Sequence, residues 1–205
     1  MNALLTGVIF LIAFTATGKS IDCVTCYSTD GTDCSGEVTT CDEDQTFCRT
    51  LTSEIRKDGV ASNQVYKYCG GDEQPHWIYR EESLTTFFQL EIQNCETDKC
   101  NEEPAQLTPG ANTPNGVKCM HCFQDYSEDC NSEETIECIG DMNKCLFVSG
   151  NVCNNGELAF DGTSFNACAV RHCTNIASAD LHPFYGEVAT GIIQKIEISE
   201  GINDA

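Results

Sequence analysis

Positive charge is scarce in this chain: 11 Lys and Arg stand against 32 Asp and Glu in 205 residues, a formal net charge of −21. Such a surface repels phosphate backbones and anionic headgroups, so no nucleic acid is expected as a partner, and encounter is steered toward basic proteins. Long apolar runs are missing after the first 20 residues. The polar end GIIQKIEISEGINDA lacks the apolar tail of a lipid-anchor signal, so no membrane anchor is expected. Asn-x-Ser/Thr acceptors are absent as well, because Asn112-Thr113-Pro114 has proline after the threonine. There is no Gly-x-Ser-x-Gly elbow and no His-Glu-x-x-His pair. His76, His121, His172 and His182 are scattered. The expectation is a protein without catalytic residues, not an enzyme. No segment of the first hundred mature residues keeps a helical period for three turns, which leaves an all-β reading.

What the chain has in abundance is cysteine. The sixteen fall into two blocks of eight: Cys23, Cys26, Cys34, Cys41, Cys48, Cys69, Cys95, Cys100, and Cys119, Cys122, Cys130, Cys138, Cys145, Cys153, Cys168, Cys173. The numbers of residues between neighbours run 2, 7, 6, 6, 20, 25, 4 and then 2, 7, 7, 6, 7, 14, 4. Nearly equal ends around variable middles mark an internal repeat of a disulfide module. Residues 1–20 read as a signal peptide, with an apolar Leu4–Phe14 and small residues at Ala16-Thr17-Gly18; cleavage after Gly18 and after Ser20 both remain open. A secreted, extracellular protein follows, in a compartment where disulfides persist. Zinc or redox chemistry at pairs such as Cys119-Met120-His121-Cys122 would need reduced thiolates, so no metal and no cofactor is expected. Asp42-Glu43-Asp44 lacks the residue order of a calcium loop and reads as a solvated acidic run.

The domain plan is module 1 over residues 21–101, a Pro-rich linker over 102–118, module 2 over 119–175 and a tail over 176–205. Proteolysis in the linker is expected to leave two folded halves. In module 1, Thr46–Glu54 pairs with Gln64–Cys69 around KDGVAS, and His76–Arg80 pairs with Leu84–Gln93. In module 2, LFVSGNV between Cys145 and Cys153 predicts a very short hairpin, and GELAF-DG-TSFNAC predicts another centred on Asp161-Gly162. The tail fits a helical stripe through Val188, Ile192 and Ile196 and also a strand through Ile196 and Ile198. It has no dibasic pair, so the chain is expected to act intact.

Cys23-Val-Thr-Cys26 and Cys95-Glu-Thr-Asp-Lys-Cys100-Asn101 resemble the ends of the three-finger domain of lymphocyte antigen-6/urokinase-receptor proteins. That resemblance implies two disulfide-rich, snake-toxin-like modules in tandem. Its implied bridges in module 1 are Cys23–Cys48, Cys26–Cys34, Cys41–Cys69 and Cys95–Cys100. In module 2 they are Cys119–Cys145, Cys122–Cys130, Cys138–Cys153 and Cys168–Cys173. The two-module plan is similar to sodefrin precursor-like factors, the courtship pheromones of salamanders and newts, and to gamma-type phospholipase A₂ inhibitors of snake plasma. The first similarity implies a pheromone that binds a chemosensory protein receptor. The second, the alternative, implies an inhibitor that captures a basic secreted phospholipase. Trp77 and Tyr79 are the candidate binding anchors, and the acidic tips Asp30/Asp33 and Asp125/Glu128/Asp129 are candidates for meeting a basic patch. Oligomeric state is left open.

Overall fold

The computed structural model describes residues 20–71, 76–154, 157–158, 166–176 and 192–203. The signal-peptide segment and the Asp161-Gly162 turn lie outside them. Every regular element among the described residues is a strand. In module 1, β1 (Asp22–Ser28) and β2 (Glu37–Thr40) make the first finger, β3 (Phe47–Lys57) and β4 (Val60–Gly70) the second, and β5 (Trp77–Glu82) and β6 (Thr86–Cys95) the third. The second finger turns at Asp58-Gly59, with φ of 51° and 80°. Two positive φ values in a two-residue loop match the right-handed twist of the flanking strands, and Lys57 duly faces Val60. β3 is the central strand, paired to β4 from Cys48↔Cys69 outward and to β6 from Cys48↔Cys95 outward. The bridges join Cys23–Cys48, Cys26–Cys34, Cys41–Cys69 and Cys95–Cys100. Asn101 then ties the module's end to its beginning, accepting from Val24 N and donating to Val24 O, each at 2.9 Å.

Module 2 contains β7 (Pro114–Met120), β8 (Cys122–Asp125), β9 (Thr135–Ile139), β10 (Lys144–Asn154), β11 (Glu157–Leu158), β12 (Asn166–Thr174), β13 (Ile192–Glu200) and β14 (Ile202–Asn203). Cys119–Cys145 and Cys122–Cys130 are bridged. The other two expected bridges are corrected: the structure joins Cys138 to Cys173 and Cys153 to Cys168. Cys168 and Cys173 lie on one strand, β12. Five residues of strand span about 17 Å and end on opposite faces, whereas a disulfide needs Cα atoms within about 7 Å. Cys173 stands opposite Cys145 as Cys69 stands opposite Cys48, so Cys138–Cys173 is the repeat of Cys41–Cys69. The place of Cys95 is taken by Ser199, which also faces Cys145. Module 2 therefore runs through β13 and β14, past the expected boundary at 175, and its third finger closes without a cysteine pair. The expected short hairpin in LFVSGNV is likewise replaced by continuous β10, whose partners are β12 and β13.

The linker is no free spacer. One face of the module 1 sheet is polar yet buried, with Lys67, Gln89, Glu91 and Arg80 all covered. Residues 102–108 lie across it as a strap, and backbone groups of the strap meet those side chains. Lys67 Nζ donates to Glu102 O (3.3 Å), Glu103 O (3.1 Å) and the Asp33 carboxylate (2.6 Å). Glu91 accepts from Thr108 N (2.6 Å) and Oγ1 (3.1 Å), while Gln89 and Arg80 donate to Thr108 O at 2.7 and 2.9 Å. Buried polar groups are tolerated when paired in this way. The modules also share a seam, since β5 pairs with β12 at Glu82↔Cys173 and Glu81↔Thr174. Asn175 clamps the edge of β5, accepting from Arg80 N at 2.7 Å and donating to Ile78 O at 3.0 Å. Ile176 and Ile198 pack on Tyr79, Phe88 and Leu90. The expected pair of self-contained halves is thus one continuous assembly, because cysteine spacing carries no trace of edge pairing between strands.

Candidate protein-binding face

Side chains alternate across a strand, so residues paired in register line one face. On the face of module 1 opposite the strap, Tyr27 (β1) faces Tyr66 (β4), Tyr66 faces Leu51 (β3), Leu51 faces Ile92 (β6), and Ile92 faces Trp77 (β5). This single ladder crosses five strands, about 19 Å at the usual inter-strand spacing. Its β1 end is open to solvent, with Tyr27 61% and Tyr66 45% exposed. The two rings meet edge-on, centroids 6.1 Å apart, and Tyr66 stacks on half-buried Tyr68 at 4.5 Å. Arg49 lies against the rings of Tyr68 and Phe47 at 5.8 and 5.1 Å, and its Nε donates to Asn94 Oδ1 at 3.1 Å. The result is a preorganised aromatic surface whose tyrosines offer hydroxyls at low entropic cost, the composition of interface hot spots.

Trp77 belongs to this ladder, half-buried at its far end. Tyr79 does not serve as an exposed anchor. It is fully buried, stacked on Trp77 with centroids 5.8 Å apart, and packed with Phe88 and Leu90 under Ile176 of module 2. Trp77 and Tyr79 are two residues apart on one face, and only the docking of module 2 separates their fates. Sequence reasoning does not single out Tyr27, Tyr66 or Tyr68. The signal for two of them is Tyr66-Lys67-Tyr68, where alternation puts both rings on one face and Lys67 on the other. Of the acidic tips, Asp33 is taken up by buried Lys67, whose ammonium holds its carboxyl below the usual range. Asp30, Asp125 and Glu128 are exposed, and Asp129 reaches Arg171 at 3.7 Å.

The repeat supplies an internal comparison. In module 2 the matching ladder is Phe123–Val170–Val148–Ile196, in the same register. Val148 and Val170 are buried, and Phe123 and Ile196 are partly buried, in one aliphatic cluster. The same line of the fold is therefore core in one module and an open tyrosine face in the other. Ionisable groups gather instead at the seam, where Glu81 accepts from Tyr79 Oη and lies 3.0 Å from His172 Nε2. Burial pushes the nearby Glu82 carboxyl up, and burial together with the neighbouring His172 pushes His121 down. The sulfurs of Cys23, Cys41 and Cys69, and those of Cys119, Cys138 and Cys173, lie within 4.8 Å of one another. All are engaged in disulfides, so these triplets are stacked bridges rather than donor sets.

Comparison with known proteins matches the u-PAR/Ly-6 domain to residues 19–103 and again to 115–185. Phospholipase A2 inhibitor NAI of Notechis ater is 30% identical over 165 residues, 78% of this chain and 80% of that protein. A phospholipase A2 inhibitor of the gamma type from Elaphe quadrivirgata is 31% identical over 159 residues, 76% and 77% of the two chains. The urokinase plasminogen activator surface receptor of Aotus trivirgatus is 30% identical over 141 residues, 64% of this chain and 41% of the receptor.

Proposed function

The chain belongs to the u-PAR/Ly-6 domain family, and from that premise we propose that it is an extracellular, non-enzymatic binding protein that captures a secreted phospholipase A₂. The similarity to inhibitors of that name over about four fifths of both chains supports this reading. It favours the inhibitor alternative over the courtship pheromone expected first. The observation that carries the site is the open ladder: exposed Tyr27 and Tyr66 stand where module 2 has partly buried Phe123 and buried Val170. The aromatic strip supplies contact area, and the net charge of −21 draws in basic partners over a distance of about a Debye length.

The test is inhibition and binding against a panel of basic and acidic secreted phospholipases, with chemosensory neurons as a parallel target. Tight, salt-weakened binding to a basic phospholipase is expected. Tyr27→Ala with Tyr66→Ala should cost about 30-fold or more in affinity, two hot-spot truncations at about 1 kcal/mol each, with the thermal midpoint unchanged. Undiminished binding by that variant would move the site elsewhere. Neuronal responses without any phospholipase binding would restore the pheromone.

A further inference from the structure

Tyr126 is 79% exposed, the highest value among the large apolar side chains described. It sits at the outer bend of the first finger of module 2, just past β8, inside the loop closed by Cys122–Cys130. Its φ is 54°, uncommon for a residue other than glycine. Its N–H donates to Ala167 O at 2.7 Å, so the backbone is fixed while the ring projects outward. Asp125 precedes it and Glu128 and Asp129 follow; all three are exposed. Tyr126 belongs neither to the ladder nor to any core cluster, so packing does not account for an aromatic residue at this point.

We propose that Tyr126 is a site of tyrosine O-sulfation. The acceptor must be a phenol that a transferase can reach, set among carboxylates that a basic cleft can recognise by charge. Among the described tyrosines only Tyr126 meets both conditions. Tyr79 is buried, Tyr66 and Tyr68 flank Lys67, and Tyr27 lies within strand β1, its nearest following acid being Asp30. Eight disulfides point to maturation along an oxidising secretory route, where sulfuryl transfer to secreted chains takes place. In the step, the phenolic oxygen attacks the sulfur of an adenylyl-sulfate donor. The sulfur–oxygen bond to the nucleotide phosphate breaks, the nucleotide leaves with the electron pair, and the phenolic proton passes to a base of the transferase. Nothing is oxidised or reduced. The product carries one fixed negative charge beside three carboxylates, which strengthens the tip's attraction for a basic protein surface.

The experiment is peptide mass analysis of the full chain secreted from eukaryotic cells that express a tyrosine sulfotransferase, alongside a secreted substrate of that enzyme as positive control. The expected result is a gain of about 80 Da, one sulfate ester replacing one phenolic hydrogen, on the peptide holding Tyr126. The group should be lost in mild acid, resist phosphatase and disappear in chlorate-treated cells, while the peptide holding Tyr27 stays unmodified. Tyr126→Phe should be secreted with the same disulfides and without the added mass. An unmodified Tyr126 beside a sulfated control, or an adduct removed by phosphatase, would overturn the proposal.

Discussion

At the level of single residues, burial decides what each polar side chain does. His121 illustrates this: its Nδ1 is buried without a hydrogen-bond partner, and burial and His172 depress its pKa. A histidine depressed in the fold stays neutral there, while the unfolded chain takes up its proton first as pH falls below about 6.5. Stability from this group is complete above that pH and is lost as pH falls toward the lowered folded value. Glu82, raised by burial, works with the opposite sign, gaining stability on acidification from above its folded value. Replacing His121 with Gln should therefore shrink the drop in urea midpoint between pH 7.5 and pH 5.5, and an unchanged drop would remove His121 as its source. Only part of this scale is visible in sequence. The alternation of Trp77 with Tyr79 and of Tyr66 with Tyr68 can be read directly. Which of those rings is covered depends on Ile176 and Ile198, a hundred residues away in the chain, and no local pattern reports that.

At the level of strands and bridges, module 1 is legible because its cysteines sit at chain reversals, where spacing reflects geometry. In module 2 an equal four-residue gap between the last two cysteines arises on a straight strand, so the count matches and the structure does not. The two corrected bridges also differ in weight. Cys153–Cys168 staples β10 to β12, strands already paired along their length, whereas Cys138–Cys173 ties β9 to β12. Loop closures of 15 and 35 residues correspond to about 3 and 4 kcal/mol from chain entropy alone. Removing Cys153 and Cys168 together should lower the melting temperature yet leave a cooperative transition. Removing Cys138 and Cys173 together should abolish the native near-ultraviolet signal of module 2. Peptide mapping that recovered Cys138 joined to Cys153 would reject the pairing altogether.

At the level of the whole molecule, the strap and the seam make two repeats into one body. Backbone held by Lys67, Glu91, Gln89 and Arg80 is poorly available to a protease, which needs a run of accessible, extended chain. Native protein should thus resist cleavage between Glu102 and Thr108 far longer than a Glu91→Ala variant, which loses the acceptor for Thr108 and is expected to be about 2–3 kcal/mol less stable. Rapid cutting of the wild type into two stable halves would show the strap to be loose. The Pro-rich composition of residues 101–118 marks the end of a module, but it does not reveal docking, since the receptors for the strap are polar side chains spread over β4, β5 and β6. The same strap sets a valence. It occupies one side of the module 1 sheet, and the equivalent ladder of module 2 is taken up in core, so each chain offers a single tyrosine face. A complex built on that face is therefore one to one, and an assembly holding several partner molecules has to contain as many copies of this chain.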